Sequence, residues 1–189
     1  MKKRCVWAGN DPLYIAYHDT EWGTPVYDDE TLFEFLLLET FQAGLSWITI
    51  LKKRENFRKA FDNFDYQKIA NYSEEKYDSL LLDAGIIRNK LKIRSAIKNA
   101  QLFIEIQKEF GSFSTYIWSF VDGKPIVNKI KAMQDIPATT ALSDHISKTL
   151  KKRGFKFVGS TIIYAFMQAT GMVNDHAVDC FRYGDIKMD

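Results

Sequence analysis

Four side chains able to hold a metal stand near the two ends of the sequence: Cys5 and His18 early, His176 and Cys180 late. His176 and Cys180 lie four positions apart, which on a helix puts both on one face. Two thiolates and two imidazoles suit tetrahedral zinc, and a filled set of four marks a structural site with no open position for water. On spacing alone, two buried free cysteines beside two unrelated histidines explain the pattern better, because Cys5 and His18 are too far apart for a standard zinc pair. His145 fits neither pair and reads as an ordinary surface or helix-start residue.

Glu39 is a candidate of another kind. It sits in a nearly all-apolar run with Phe35, Leu36 and Leu38, and no Lys or Arg lies within a helical turn of it. A charge buried there is costly unless it meets a partner. A structural ion pair is one answer; a cationic ligand is another. Trp7, Tyr14, Tyr17 and Trp47 could supply ring faces, which attract cations, although each taken singly is more often core than ligand.

A third feature is the segment Lys148 to Ile163, which reads as helix, tight connection, helix, with Gly154 ending the first helix and Gly159 opening the second. The first turn of the second helix leaves N–H groups unpaired, a phosphate site that needs no side chain. Lys151, Arg153 and Ser160 flank it. An ordinary αα-hairpin has the same outline. Basic residues also cluster elsewhere: half of the 26 lie within residues 52–54, 84–104 and 145–174. No Lys or Arg occurs between Cys5 and Leu51, where eight carboxylates fall. A polyanion partner fits this layout, as do three solvated helix faces.

The elements that would position these groups are helical nearly throughout. The pattern predicts a buried helix from Asp28 or Asp29 to Gly44, then Trp47 to Ala60, one or two short helices in 65–84, and Asn89 to Phe110 with Leu91 on its apolar face. It continues with a helix around Tyr116, a loop over 124–138, a helix capped by Ser143 and running to Arg153, and Ser160 to Thr170. A short helix is expected over 175–183, and no strand pair. The expected fold class is all-α. The chain is read as one domain over 1–189, with a terminal lobe from about 1–20 and 172–189, and the hairpin at about 143–171.

A composition 46% hydrophobic and 14% aromatic excludes a disordered or low-complexity chain. No stretch is apolar enough to span a membrane and no secretory leader is evident, so a cytoplasmic location is expected. There Cys5 and Cys180 would form no lasting disulfide.

Arg153 to Ile162, followed by Met172 to His176, resembles the helix-hairpin-helix DNA glycosylase superfamily. Asp11 to Gly23, Leu38 to Arg58, Lys151 to Gly159 and Val173 to His176 together resemble the 3-methyladenine DNA glycosylase I family from end to end. The resemblance implies a helix-hairpin-helix bundle whose N- and C-terminal segments are joined by one structural Zn2+ on Cys5, His18, His176 and Cys180. It also implies that Glu39 contacts a base flipped out of DNA, and it favours Tyr17 and Trp47 as ring contacts. Many superfamily members carry an aspartate where this chain has Asn174, so only an easily broken bond should be within reach. The implied reaction is hydrolysis of the N-glycosidic bond of N3-methyladenine in double-stranded DNA, without a lyase step. The products are free 3-methyladenine and an abasic site. Gly44 and Leu45, in the turn after the Glu39 helix, could fill the gap in the base stack; a helix-ending Gly followed by a core Leu is the plain alternative. A monomer is expected. Rival readings are a glycosylase of broader range, a non-catalytic duplex binder using the hairpin alone, and a redox sensor built on the two cysteines.

Overall fold

The computed structural model describes residues 2–185. These form α1 (Pro12–Thr20), α2 (Asp29–Gln42), α3 (Trp47–Ala60), α4 (Tyr66–Ile69), α5 (Glu74–Leu82), α6 (Lys90–Phe110), α7 (Phe113–Trp118), α8 (Ala141–Arg153) and α9 (Ser160–Ala169), with short 3-10 turns between some of them. None of the helices described is long and apolar enough to cross a membrane.

The second helix is the axis of the molecule. Every residue from Leu32 to Phe41 is buried, as an all-round apolar helix demands, and α3, α6, α7 and α9 pack on it. The Asp28 carboxylate accepts from Thr31 N at 2.8 Å and starts the helix. Asp29 serves a different helix: its carboxylate accepts from Phe113 N and Ser114 N at 2.9 and 2.7 Å, fixing the start of α7. At the far end of α2, Lys92 Nζ donates to the carbonyls of Phe41 and Ala43, both at 2.7 Å. Those carbonyls have no helical partner of their own. Gly44 then turns the chain at φ +82°.

Helices α8 and α9 form the hairpin. Gly154 closes α8 at φ +103°, with Phe155 N returning to Leu150 O at 3.1 Å. Asn99 of α6 braces the connection, accepting from Lys156 N and donating to Lys156 O at 2.9 and 3.0 Å. Phe155 and Val158 are buried beneath it.

Four sequence expectations are corrected. Helix α8 is capped by Thr140 rather than Ser143: Thr140 Oγ1 accepts from Ser143 N, and Ser143 Oγ accepts from Thr140 N, a reciprocal capping box. A parallel strand pair exists, β1 (Ile126–Val127) against β2 (Val173–Asn174); strands of two residues carry no readable periodicity. Over 175–183 there is no helix but a series of turns, pinned by the bridge between Ile130 and Ala177 and by Phe181 N donating to Lys3 O at 2.9 Å. Leu91 lies in the first turn of α6 and is exposed. Of the expected terminal lobe, Met1 and residues 186–189 lie outside the described residues.

Candidate active site

One cavity gathers most of the residues singled out above. The 3-10 turn Val6–Ala8 brings Trp7, α1 brings Tyr14 and Tyr17, α2 brings Glu39 and Gln42, and Trp47 opens α3. Ala165 and Gln168 of α9 form the opposite wall, and Trp22, Met133 and Ile136 complete it. Its volume is about 220 Å³; cavities of about 150 Å³ already accept benzene, so a two-ring base fits. The rings brace one another, Trp7 with Tyr14 at 5.0 Å, Trp7 with Trp22 at 4.8 Å and Tyr17 with Trp47 at 5.5 Å between centroids. Tilted and edge-on pairs of this kind hold a wall rigid.

Glu39 is 3% exposed, and its Oε2 has no hydrogen-bond partner among the described residues. Burial pushes its pKa from 4.5 up to about 8. Glu34, on the same helix, shows what a structural carboxylate looks like here: Arg54 Nε and Arg58 Nη2 donate to it at 2.7 and 2.8 Å. Among the described residues no such cation meets Glu39. Two further buried polar atoms of the cavity's side chains are also unpartnered, Trp7 Nε1 and Trp47 Nε1. Orphaned buried groups are rare in native proteins. Three on the walls of one cavity describe a site made for a polar ligand. The Tyr17 and Tyr14 hydroxyls are shifted upward, first by burial and then by the Glu39 charge.

Directly behind Trp7 lies the second cluster. Cys5, His18, His176 and Cys180 are all buried, with their donor atoms within 4.8 Å of one another. His18 Nε2 is 3.5 Å from Cys180 Sγ, and His176 Nδ1 is 3.6 and 3.7 Å from Cys5 Sγ and Cys180 Sγ. Tetrahedral zinc would hold such N and S atoms about 3.6 Å apart. The outer nitrogens are also tied, His18 Nδ1 to Asp19 at 2.8 Å and His176 Nε2 to the Trp22 carbonyl at 3.0 Å, the usual support for metal-bound imidazole. Burial lowers the pKa of both imidazoles, His176 to about 4, keeping them neutral as ligands must be. Burial also pushes the Cys5 thiol up to about 12, a cost that a bound cation would reverse. The four residues fit a metal ion.

The hairpin residues and the turn are separate from the cavity. No side chain caps α9, whose N-cap is Gly159, and Ser160 Oγ lies 2.8 Å from Ser143 Oγ. Lys151 is exposed. Arg153 is engaged: both terminal nitrogens donate to Glu109, at 2.7 and 3.0 Å, and its guanidinium lies over Phe110 and Tyr116. Gly44 and Leu45 form the turn between α2 and α3, with Leu45 exposed.

Residues 7–183 match the methyladenine glycosylase family. The chain belongs to that family. It is 52% identical over 181 residues, 96% of its own length, to DNA-3-methyladenine glycosylase 1 of Escherichia coli strain K12, covering 97% of that protein. A crystal structure of 3-methyladenine DNA glycosylase I superposes at a TM-score of 0.92, with 52% identity, 95% of this chain and 98% of the other covered. The Staphylococcus aureus 3-methyladenine DNA glycosylase I, solved to show how 3-methyladenine is recognised, gives 0.91 at 37% identity, with 94% and 95% covered.

Within this methyladenine glycosylase, Asn174 is buried away from the cavity. Its side chain donates to Tyr183 O at 3.2 Å and accepts from His176 N at 3.1 Å. It shapes the turn that carries His176, one of the four residues that could hold a metal. The sequence reading missed Trp22, Gln42, Met133, Ile136, Ala165 and Gln168 as cavity residues. A signal existed for Gln168, a lone amide in the apolar run Ile162 to Ala169. None existed for Met133 and Ile136, which come from the aperiodic stretch after β1.

Proposed function

We propose that the chain hydrolyses the N-glycosidic bond of N3-methyladenine in duplex DNA, releasing 3-methyladenine and leaving an abasic site. The observation that carries this reading is Glu39, a buried carboxyl group with an unpartnered oxygen and no internal cation, on the wall of a cavity of aromatic rings. A purine alkylated at N3 brings the missing positive charge, ring nitrogens that accept from the two free indole N–H groups, and a flat surface for stacking. The nucleotide must leave the stack to arrive there. Leu45, with Gly44 beside it, would take the vacated space, and the open N-terminus of α9 at Gly159 and Ser160 would hold a phosphate in the field of Lys151. Arg153 and Gly154 would keep the hairpin in shape for that contact.

In the reaction the C1′–N9 bond breaks with its electron pair going to the base, which thereby loses its charge and departs neutral. Water bonds to C1′ and gives up a proton. A cationic base needs no proton from the enzyme to leave, which agrees with Asn174 being used structurally. Glu39 and the rings favour the cation over ordinary neutral adenine, exclude water from the base and fix its orientation. The reaction is read as simple hydrolysis, without a Schiff-base lyase step. The metal is read as one zinc ion held by Cys5, His18, His176 and Cys180, all four positions filled by protein. Its place is structural.

The test is to incubate the protein with methylated duplex DNA and separate the released bases. Free 3-methyladenine is expected, and its loss in Glu39→Gln by at least about a hundredfold, the scale of removing one well-placed electrostatic group. Tight duplex binding with no released base would overturn the reading.

A further inference from the structure

Asp175 is a buried carboxylate to which the reaction gives no task. It is 1% exposed, and its three side-chain partners among the described residues are neutral donors. Asn128 Nδ2 donates to Oδ1 at 2.6 Å, while the Tyr164 hydroxyl and Gln168 Nε2 donate to Oδ2 at 2.7 and 2.8 Å. Gln168 also lines the base cavity.

The chemistry of this pair fixes the polarity of the amide. A carboxylate only accepts hydrogen bonds, so Gln168 must turn its NH2 to Asp175. Its carbonyl oxygen then stands on the other side of the amide from Asp175, with no hydrogen-bond partner among the described residues, in a side chain that lines the cavity. Charge cannot separate the two main methylated purines, since 7-methylguanine and 3-methyladenine are both cations in DNA and both stack on rings. They differ at purine C6: an amine, which donates, on adenine, and an oxo group, which accepts, on guanine. An acceptor in the wall tells them apart.

We propose that Gln168, oriented by Asp175, is a specificity-determining residue that reads the C6 substituent, accepting from an adenine-type amine and repelling a guanine-type oxygen. Asp175 is a positioning residue, acting through Gln168. The inference rests on the base-excision reading and narrows the substrate of that same site. A site built to hydrogen-bond one substituent rejects its counterpart strongly, because its own buried polar group is then left unpaired.

The experiment uses methylated duplex DNA, which carries both lesions, with the parent protein, Asp175→Asn and Gln168→Met. The two released bases are measured separately, and thermal midpoint and bound metal are read on the same samples. Asparagine can donate where aspartate cannot, so in Asp175→Asn the amide is free to reverse and present NH2 to the cavity. The ratio of 7-methylguanine to 3-methyladenine released should then rise by about tenfold or more, and Gln168→Met should lose about tenfold in kcat/KM for 3-methyladenine, the scale of one hydrogen bond. A general loss of packing would slow both bases together and leave the ratio alone. A folded, metal-loaded Asp175→Asn with the parent ratio overturns the proposal. Should that variant not fold, an unchanged rate and ratio in Gln168→Met does the same. Indifferent variants of a parent that releases 3-methyladenine would sink this inference and spare the base-excision reading; a parent that releases no base sinks both.

Discussion

Up to about pH 8 the empty cavity keeps a proton on Glu39, since burial opposes the charge, whereas a cationic base in the same space favours the carboxylate. The group therefore trades stability for use. Its folded pKa lies above its unfolded value of 4.5, so the folded state holds more protons and stability falls as pH rises from 4.5 to 8. The whole gap corresponds to roughly 5 kcal/mol. Glu39→Gln, which cannot ionise, should match the parent's stability most nearly at pH 4.5 and exceed it increasingly up to pH 8, by roughly 3–5 kcal/mol, while excision collapses. Denaturant titrations across that range check it; parallel pH curves for parent and variant would show that Glu39 does not titrate within the fold. Much of this was legible in the sequence, because a lone acid in an apolar run without nearby lysine or arginine is visible in one dimension. Asp175 was not legible. It follows Asn174 in a polar stretch, and only the packing of β2 against α9 shows that it is buried and that Gln168 answers to it.

The two glycines of the hairpin separate folding from binding at the level of the element. Gly154 sits at φ +103°, where a side chain is strained, so Gly154→Ala should cost about 1–2 kcal/mol of stability. Gly159 has φ −61° and nothing within 4 Å of where a Cβ would lie. Gly159→Ala should keep the thermal midpoint, within about 0.5 kcal/mol, yet weaken duplex binding, because the added methyl occupies the approach to the first turn of α9. Salt-dependent DNA binding and melting of both variants check the pair; equal effects on both properties would count against a phosphate at α9. Helix positions were readable because apolar spacing repeats over many residues. The strand pair and the turns over 175–183 were not, since side-chain bonds of Asn174 and the bridge to Ala177 settle them locally.

For the molecule as a whole, the cluster of Cys5, His18, His176 and Cys180 links segments more than 150 residues apart, beside buried apolar side chains that form one cluster from Cys5 to Cys180. A metal bound only by the folded state should raise stability by about 1.4 kcal/mol for each tenfold rise in its free concentration. Chelation should lower the thermal midpoint without abolishing the helical signal, and Cys180→Ser should remove the metal dependence. Melting against buffered free zinc checks both; a midpoint indifferent to zinc would argue for an all-protein cluster. Spacing alone favoured two free cysteines beside two unrelated histidines, and only the family resemblance pointed to a metal, since ligand spacing along the chain carries no information about segments that meet in space.

That meeting has a consequence for the order of events during synthesis. Trp7 and Tyr17 are made early, but their cavity has no far wall until α9 and Gln168 exist, and Cys5 and His18 wait longer still for His176 and Cys180. About 150 residues separate Tyr17 from Gln168, so at about 5–20 residues per second the early rings wait roughly 8–30 s for their far wall. A chain that has not yet reached α9 therefore has neither a closed base pocket nor a fully packed α2, and the pocket is completed together with that part of the core.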